Sequence, residues 1–237
     1  GALAIQRISG QAEQITQLGE TLSAVVGSNS DTVTQEDDVA VAGEYYIRST
    51  LPISDAYRSG DTSALSDTQK ETLKMASDIL DEIITDGMTQ YDKELAVYDW
   101  MCANLGHESG VTVVVPTASE YSAEPYGVLK YGAAVCVGFA TTFRLFMQMM
   151  DIDCKVVHNS YHSWDLINLD GDWYHTDIYS DVERGNYANF NMTDEMCARG
   201  HDWDKSFFPA ATGLKYCYAY MNAEKLDDIY KLPQLVR

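Results

Sequence analysis

Apolar positions in this chain follow two periods, and the change from one to the other divides it. Leu3, Ile5, Ile8, Ile15, Leu18, Leu22 and Val25 fall at helical spacing, with a break expected at Gly10. Residues 27–38 form a polar, Ser/Thr/Asp-rich linker, and 39–47 have strand character. Ser66 reads as the N-cap of a helix running to Ile84 and closed by Gly87. A second helix is expected over 93–104 and a short strand over 111–115. Val137 to Met150 is apolar almost throughout and lacks proline, the pattern of a buried helix that starts next to Cys136.

The period then falls to two. Asp170-Gly171 lies between β-prone runs and predicts a type I′ turn. A two-residue loop pairs Leu169 with Asp172. Counted back along both strands, Trp164 faces Asp177 and Tyr179 faces His162. His162, Trp164, Asp177 and Tyr179 then share one face, and His162 becomes a diagonal neighbour of Asp177, within hydrogen-bond reach.

That geometry gives Cys136 a chemical reading. A thiol at a helix start meets N–H groups and a dipole that favour the thiolate, and the same N–H groups can stabilise an oxyanion. Cysteine, an imidazole and an orienting carboxylate, in that order, are what acyl transfer through a thioester needs. The bland alternative for Cys136 alone is a buried structural thiol. Gly132, Ala133, Ala134 and Gly138 are small enough to let a substrate backbone approach. His175 shares the hairpin face but has no obvious carboxylate beside it, so it ranks second as base. His158 closes a strand and reads as structural or exposed, and His107 and His201 carry no pattern. Trp164, next to His162, walls the cleft and shields the pair. Tyr126 is a candidate oxyanion donor or substrate-positioning group, with plain packing as its other reading.

These stretches resemble the transglutaminase-like superfamily. The resemblance rests on Gly132-Ala-Ala-Val-Cys136-Val-Gly138-Phe-Ala140, His162-Ser-Trp164 and Gly171-Asp-Trp173-Tyr-His-Thr-Asp177, in that order. The lead-in Tyr126-Gly127-Val-Leu and the stretch from Tyr91 to Trp100 also resemble bacterial members, so the likeness covers roughly residues 65–220. It implies Cys136 as nucleophile, His162 as general base and acid, and Asp177 as orienting group. It also implies an α+β, papain-like architecture in which the cysteine helix packs on an antiparallel sheet. The domain reading is an N-terminal helical and extended segment over 1–60 and a transglutaminase-like domain over 61–237.

Composition narrows the partners. A net charge of −20, from 36 acidic and 16 basic residues, disfavours nucleic acid and anionic membrane surfaces. It is compatible with basic or amine-bearing partners, or simply marks a solvated acidic surface. Apolar residues make up 46% of the 237, enough for a core that needs no disulfides. The five cysteines form no Cys-x-x-Cys and no His/Cys cluster with zinc spacing, so no metal or cofactor is read, and the odd count fits one reactive thiol. Arg144 and Gln148 interrupt the most apolar stretch, which reads as a buried core helix in preference to a membrane span. Gly1 in place of Met reads as a processed start and points to an exported, secreted or cell-surface protein. The functional expectation is a cysteine enzyme acting on a protein or peptide substrate, hydrolysing peptide or amide bonds or transferring a glutamine acyl group. The alternative is a catalytically silent binding or scaffold module with the same fold.

Overall fold

The computed structural model describes residues 37–107, 121–182 and 184–223. The helix expected over 3–26 and the strand expected over 111–115 lie outside the described residues. One compact unit begins at Asp38.

Two short strands, β1 (Ala40–Val41) and β2 (Tyr45–Tyr46), pair antiparallel and lead into α1 (Leu51–Ser59). Helix α2 (Asp67–Ile83) starts where the sequence predicts. Ser66 Oγ accepts from Gln69 N at 3.2 Å while Gln69 Oε1 accepts from Ser66 N at 2.9 Å, a reciprocal capping box. The helix stops at Ile83, and Gly87, at φ +85°, occupies the turn beyond it. Helix α3 (Gln90–Asn104) begins three residues earlier than periodicity suggests because Thr89 and Asp92 form a second capping box. β3 (Gly106–His107) runs parallel to β4 (Ala133–Ala134), which follows α4 (Pro125–Tyr131). Gly132 ends α4 in the left-handed region, at φ +69°, which turns the chain into β4 and on to Cys136.

Helix α5 (Cys136–Met149) is the centre of the molecule, and of its side chains only Gln148 escapes burial. Phe139, Phe143, Leu145, Phe146 and Met147 join Ala76 and Leu80 of α2, Val97 and Met101 of α3, and Ile167, Leu169 and Tyr174 of the sheet in the main core. At about 1.5–3 kcal/mol for each large apolar side chain buried, this is the dominant stabilisation. Arg144 is buried within the same helix. Its Nε donates to Thr50 Oγ1 at 3.1 Å and its Nη2 to the Arg48 carbonyl at 2.6 Å. Val41 and Ile47 pack with Cys136, Val137 and Val156 in a second cluster. Residues 40–59 therefore pack within the same unit as the cysteine helix.

The sheet has three antiparallel strands in the order β5 (Cys154–His158), β6 (Ser163–Leu169), β7 (Asp172–Thr176). Its β6–β7 ladder runs from Leu169↔Asp172 to Asp165↔Thr176, the register a two-residue loop dictates. Asp170 and Gly171 both have positive φ, at +54° and +95°. Three one-turn helices follow: α6 (Ile178–Asp181), α7 (Asp194–Cys197) and α8 (Tyr218–Met221). Among the described residues no helix is long and apolar enough to cross a membrane. The cysteine helix against an antiparallel sheet is the expected α+β arrangement.

Candidate active site

Cys136 is the first residue of α5 and is 9% exposed. Val135 at the N-cap gives no side-chain cap, so the first-turn N–H groups and the dipole face the thiol unopposed by a capping oxygen. His162 lies just before β6, and Asp177 is the N-cap of α6 at the end of β7. The hairpin ladder ends at Asp165↔Thr176 and the chain turns helical at Ile178, so Tyr179 does not pair with His162 as the extended register predicts; His162 and Asp177 still meet just beyond the ladder, where His162 Nε2 donates to Asp177 Oδ2 at 2.8 Å. With Nε2 committed to the carboxylate, Nδ1 is the nitrogen left for sulfur.

The charges reinforce this order. Burial works against ionisation of Cys136, but the hydrogen bond and charge of His162, with contributions from Ser163, hold the thiol below its ordinary value. Ser163 Oγ is buried and makes no well-formed hydrogen bond. Burial opposes a charge on His162 too, but Asp177 and then Cys136 outweigh it and lift the imidazole from 6.5 to about 10. Burial likewise disfavours the Asp177 carboxylate, yet His162, His201 and Ser180 keep its pKa well below the usual range. Cysteine and histidine therefore titrate as one coupled pair, the thiol shifted down and the imidazole shifted up.

His201 is the residue sequence patterning misses. Its Nε2 donates to the same Asp177 Oδ2 at 2.7 Å, and Ser180 supplies both its hydroxyl, at 2.6 Å to Oδ2, and its N–H, at 3.0 Å to Oδ1. Asp177, 1% exposed, thus carries two imidazoles and a hydroxyl. No periodic signal marks His201, which arrives on the loop after α7.

His175 is not a free competitor. Trp164 Nε1 donates to its Nδ1 at 3.0 Å, and its Nε2 donates to Asp194 Oδ1 at 2.9 Å. The carboxylate that the hairpin lacks comes from α7. Burial lowers the His175 pKa despite Asp194, and with Nδ1 accepting a hydrogen bond the ring stays neutral. Trp164 is 1% exposed and packs beneath the imidazoles, 5.7 Å from the His162 ring and 4.7 Å from His201, so it backs the site from inside rather than lining a cleft surface. The Tyr126 hydroxyl accepts from Lys130 at 2.7 Å and donates to Glu71 at 3.2 Å, within an exposed group on α2 and α4. His107 meets the Tyr179 carbonyl at 2.7 Å, and His158 stands edge-on to Phe208. Gly138 makes room for protein rather than substrate: a Cβ there would strike the Ser122 carbonyl.

His162, Asp177 and His201 place two imidazole nitrogens and a carboxylate oxygen within 4.8 Å of one another. Both nitrogens already aim at a single oxygen at direct hydrogen-bond distance, so an ion could enter only by displacing Asp177. The five cysteines are all free thiols.

Residues 77–179, which contain Cys136, His162 and Asp177, match the family model described as the transglutaminase-like superfamily. A solved structure described as "Crystal structure of a TGase" is 16% identical, with a TM-score of 0.37, over 52% of this chain and 36% of that one. This chain therefore spans little more than a third of that protein's length. A comparison with curated proteins returns no match.

Proposed function

We propose that this transglutaminase-like core is a cysteine enzyme that transfers acyl groups through a thioester on Cys136. The observation that carries the reading is the hydrogen-bonded His162–Asp177 pair set against a thiol at a helix N-terminus. The Cys136 thiolate attacks the carbonyl carbon of an amide, and first-turn N–H groups of α5 stabilise the oxyanion. The imidazolium of His162 protonates the departing nitrogen, the C–N bond breaks and the thioester forms. Neutral His162 then takes a proton from water, hydroxide adds to the thioester, and the thiolate leaves with the acid as product. Asp177 holds the ring and stabilises its charge throughout.

Water is the acceptor we favour, which makes the activity that of a peptidase or amidase. An amine in its place gives transamidation by the same steps. Peptides and glutamine side chains are the substrate class.

The test is Cys136 alkylation by iodoacetamide across pH in the wild type, His162→Ala and His175→Ala. Reactivity below about pH 7 that is lost in His162→Ala and kept in His175→Ala is the expected result. Reactivity that rises only near pH 8.5 and ignores His162 overturns the reading and leaves an inert scaffold with this fold.

A further inference from the structure

We propose that the consecutive residues His201 and Asp202 form the positioning element of the base, holding His162 at both its ring and its backbone. The inference rests on the acyl-transfer reading of Cys136 and His162 and deepens it.

The ring end is held through Asp177. A carboxylate with one partner can swing about its side-chain bonds, and an imidazole bonded to it swings with it. Here Oδ2 receives His162 Nε2 and His201 Nε2 at 2.8 and 2.7 Å and the Ser180 hydroxyl at 2.6 Å, while the Ser180 N–H holds Oδ1, so His201 is the second ring donor on an oxygen already tied to its own turn. The His201 ring is itself fixed. It packs 4.7 Å from Trp164, and the His201 N–H donates to the Cys197 carbonyl at 2.9 Å. Its other nitrogen, Nδ1, lies 3.3 Å from that same carbonyl. His201 therefore acts on the chemistry through Asp177.

The backbone end is held through Asn159. Its Oδ1 accepts from the His162 N–H at 2.8 Å and from the Tyr161 N–H at 3.0 Å. Its Nδ2 donates to the Asp202 carbonyl at 2.9 Å and carboxylate at 3.3 Å. The Tyr161 hydroxyl donates to the same carboxylate. Two adjacent residues on one loop thus reach His162 from opposite sides by separate chains of hydrogen bonds. A general base must keep its geometry within fractions of an ångström, and such paired ties are how a loop achieves that.

Two sets of variants test this by the iodoacetamide reactivity of Cys136, which needs no substrate. His201→Phe keeps a ring against Trp164 and loses the donor. It is expected to lower the alkylation rate at pH 6 about tenfold and to move the thiol midpoint up about one pH unit, the weight of one charge-assisted hydrogen bond. His201→Gln, whose amide N–H can still reach Asp177, is expected to recover most of that loss. Asn159→Ala cuts the second tie near the surface and is expected to lower the rate about threefold or more, with melting little changed. A folded His201→Phe with the wild-type pH profile overturns the proposal, and so does a folded His201→Gln as impaired as the phenylalanine variant. If His201→Phe does not fold, Asn159→Ala decides alone, and an unaltered rate there overturns it. A wild type with no reactivity below pH 7, or one indifferent to His162→Ala, marks a different failure. In that case the acyl-transfer reading falls, and this proposal with it.

Discussion

Replacing Asp177 by Asn removes one negative charge from beside His162 while nearly keeping the side-chain shape. In the native protein His162 holds its proton to about pH 10, against 6.5 for an ordinary imidazole. That rise of about three and a half pH units is worth ~5 kcal/mol at about 1.4 kcal/mol per unit. Asp177 is the larger of the two attractions and Cys136 the smaller. If Asp177 supplies half or more, Asp177→Asn brings the His162 titration down by about two pH units, to about pH 8 or lower. Stability follows with a definite sign. A histidine whose pKa is raised on folding contributes fully below 6.5, and that contribution is lost as pH climbs through about 10. Asp177, held low, contributes above the ordinary carboxylate value of 3.8 and loses its contribution in acid. The wild type should therefore exceed the variant by about 2–4 kcal/mol between about pH 4 and 7, with the gap closing above pH 10. Histidine-labelled protein titrated by NMR, with His162 assigned by its absence from His162→Ala, gives the pKa. Urea unfolding at pH 6 and pH 10.5 gives the gap. A wild-type His162 that titrates near 6.5, or one that Asp177→Asn does not move, refutes the reasoning.

Two predictions concern the scaffold. Gly138→Ala would push a Cβ into the Ser122 carbonyl and close to Val128 and Ala134, so overpacking should cost about 2–3 kcal/mol and lower melting by about 5–10 °C; an unchanged melt would contradict it. Burial lifts Glu94 from 4.5 to about 8, against the bonds it receives from Asn191 and Thr176, so the native protein should lose several kcal/mol between those pH values as the unfolded chain ionises first. Glu94→Gln should remove that decline and be the more stable protein at pH 8.5, and parallel stability–pH curves for the two would sink the assignment.

Much of this site can be read from local signals. Asp170-Gly171 sets a two-residue loop, the loop sets the register, and the register carries His162 and Asp177 to the same end of the hairpin. The apolar run after Cys136 gives the helix, and Ser66 gives the start of α2. What escapes is carried by contacts between segments far apart in the chain. His201 meets Asp177 across 24 positions, from a loop without periodicity. Asp194 reaches His175 across 19, from a one-turn helix too short for its pattern to stand out. The two-residue strands β3 and β4 bury too little side chain to leave an alternation. Trp164 has the right register but lies under the imidazoles because α7 and its loop cover that face, which the hairpin alone does not reveal.

The guanidinium inside the cysteine helix has a consequence for how the chain behaves when cut. Two of its acceptors, the Arg48 carbonyl and Thr50, lie 96 and 94 positions before it, on the far side of the exposed loop 60–64. A protease that nicks this loop breaks a peptide bond but not the contacts that hold the two pieces together. To leave, the smaller piece would have to give up two hydrogen bonds from a charged group, about 1.5–3 kcal/mol each, and uncover the apolar contacts of Val41 and Ile47, against a total fold stability of about 5–15 kcal/mol. The severed fragment should stay seated on its partner as a noncovalent complex, with Val41 and Ile47 still packed against Cys136.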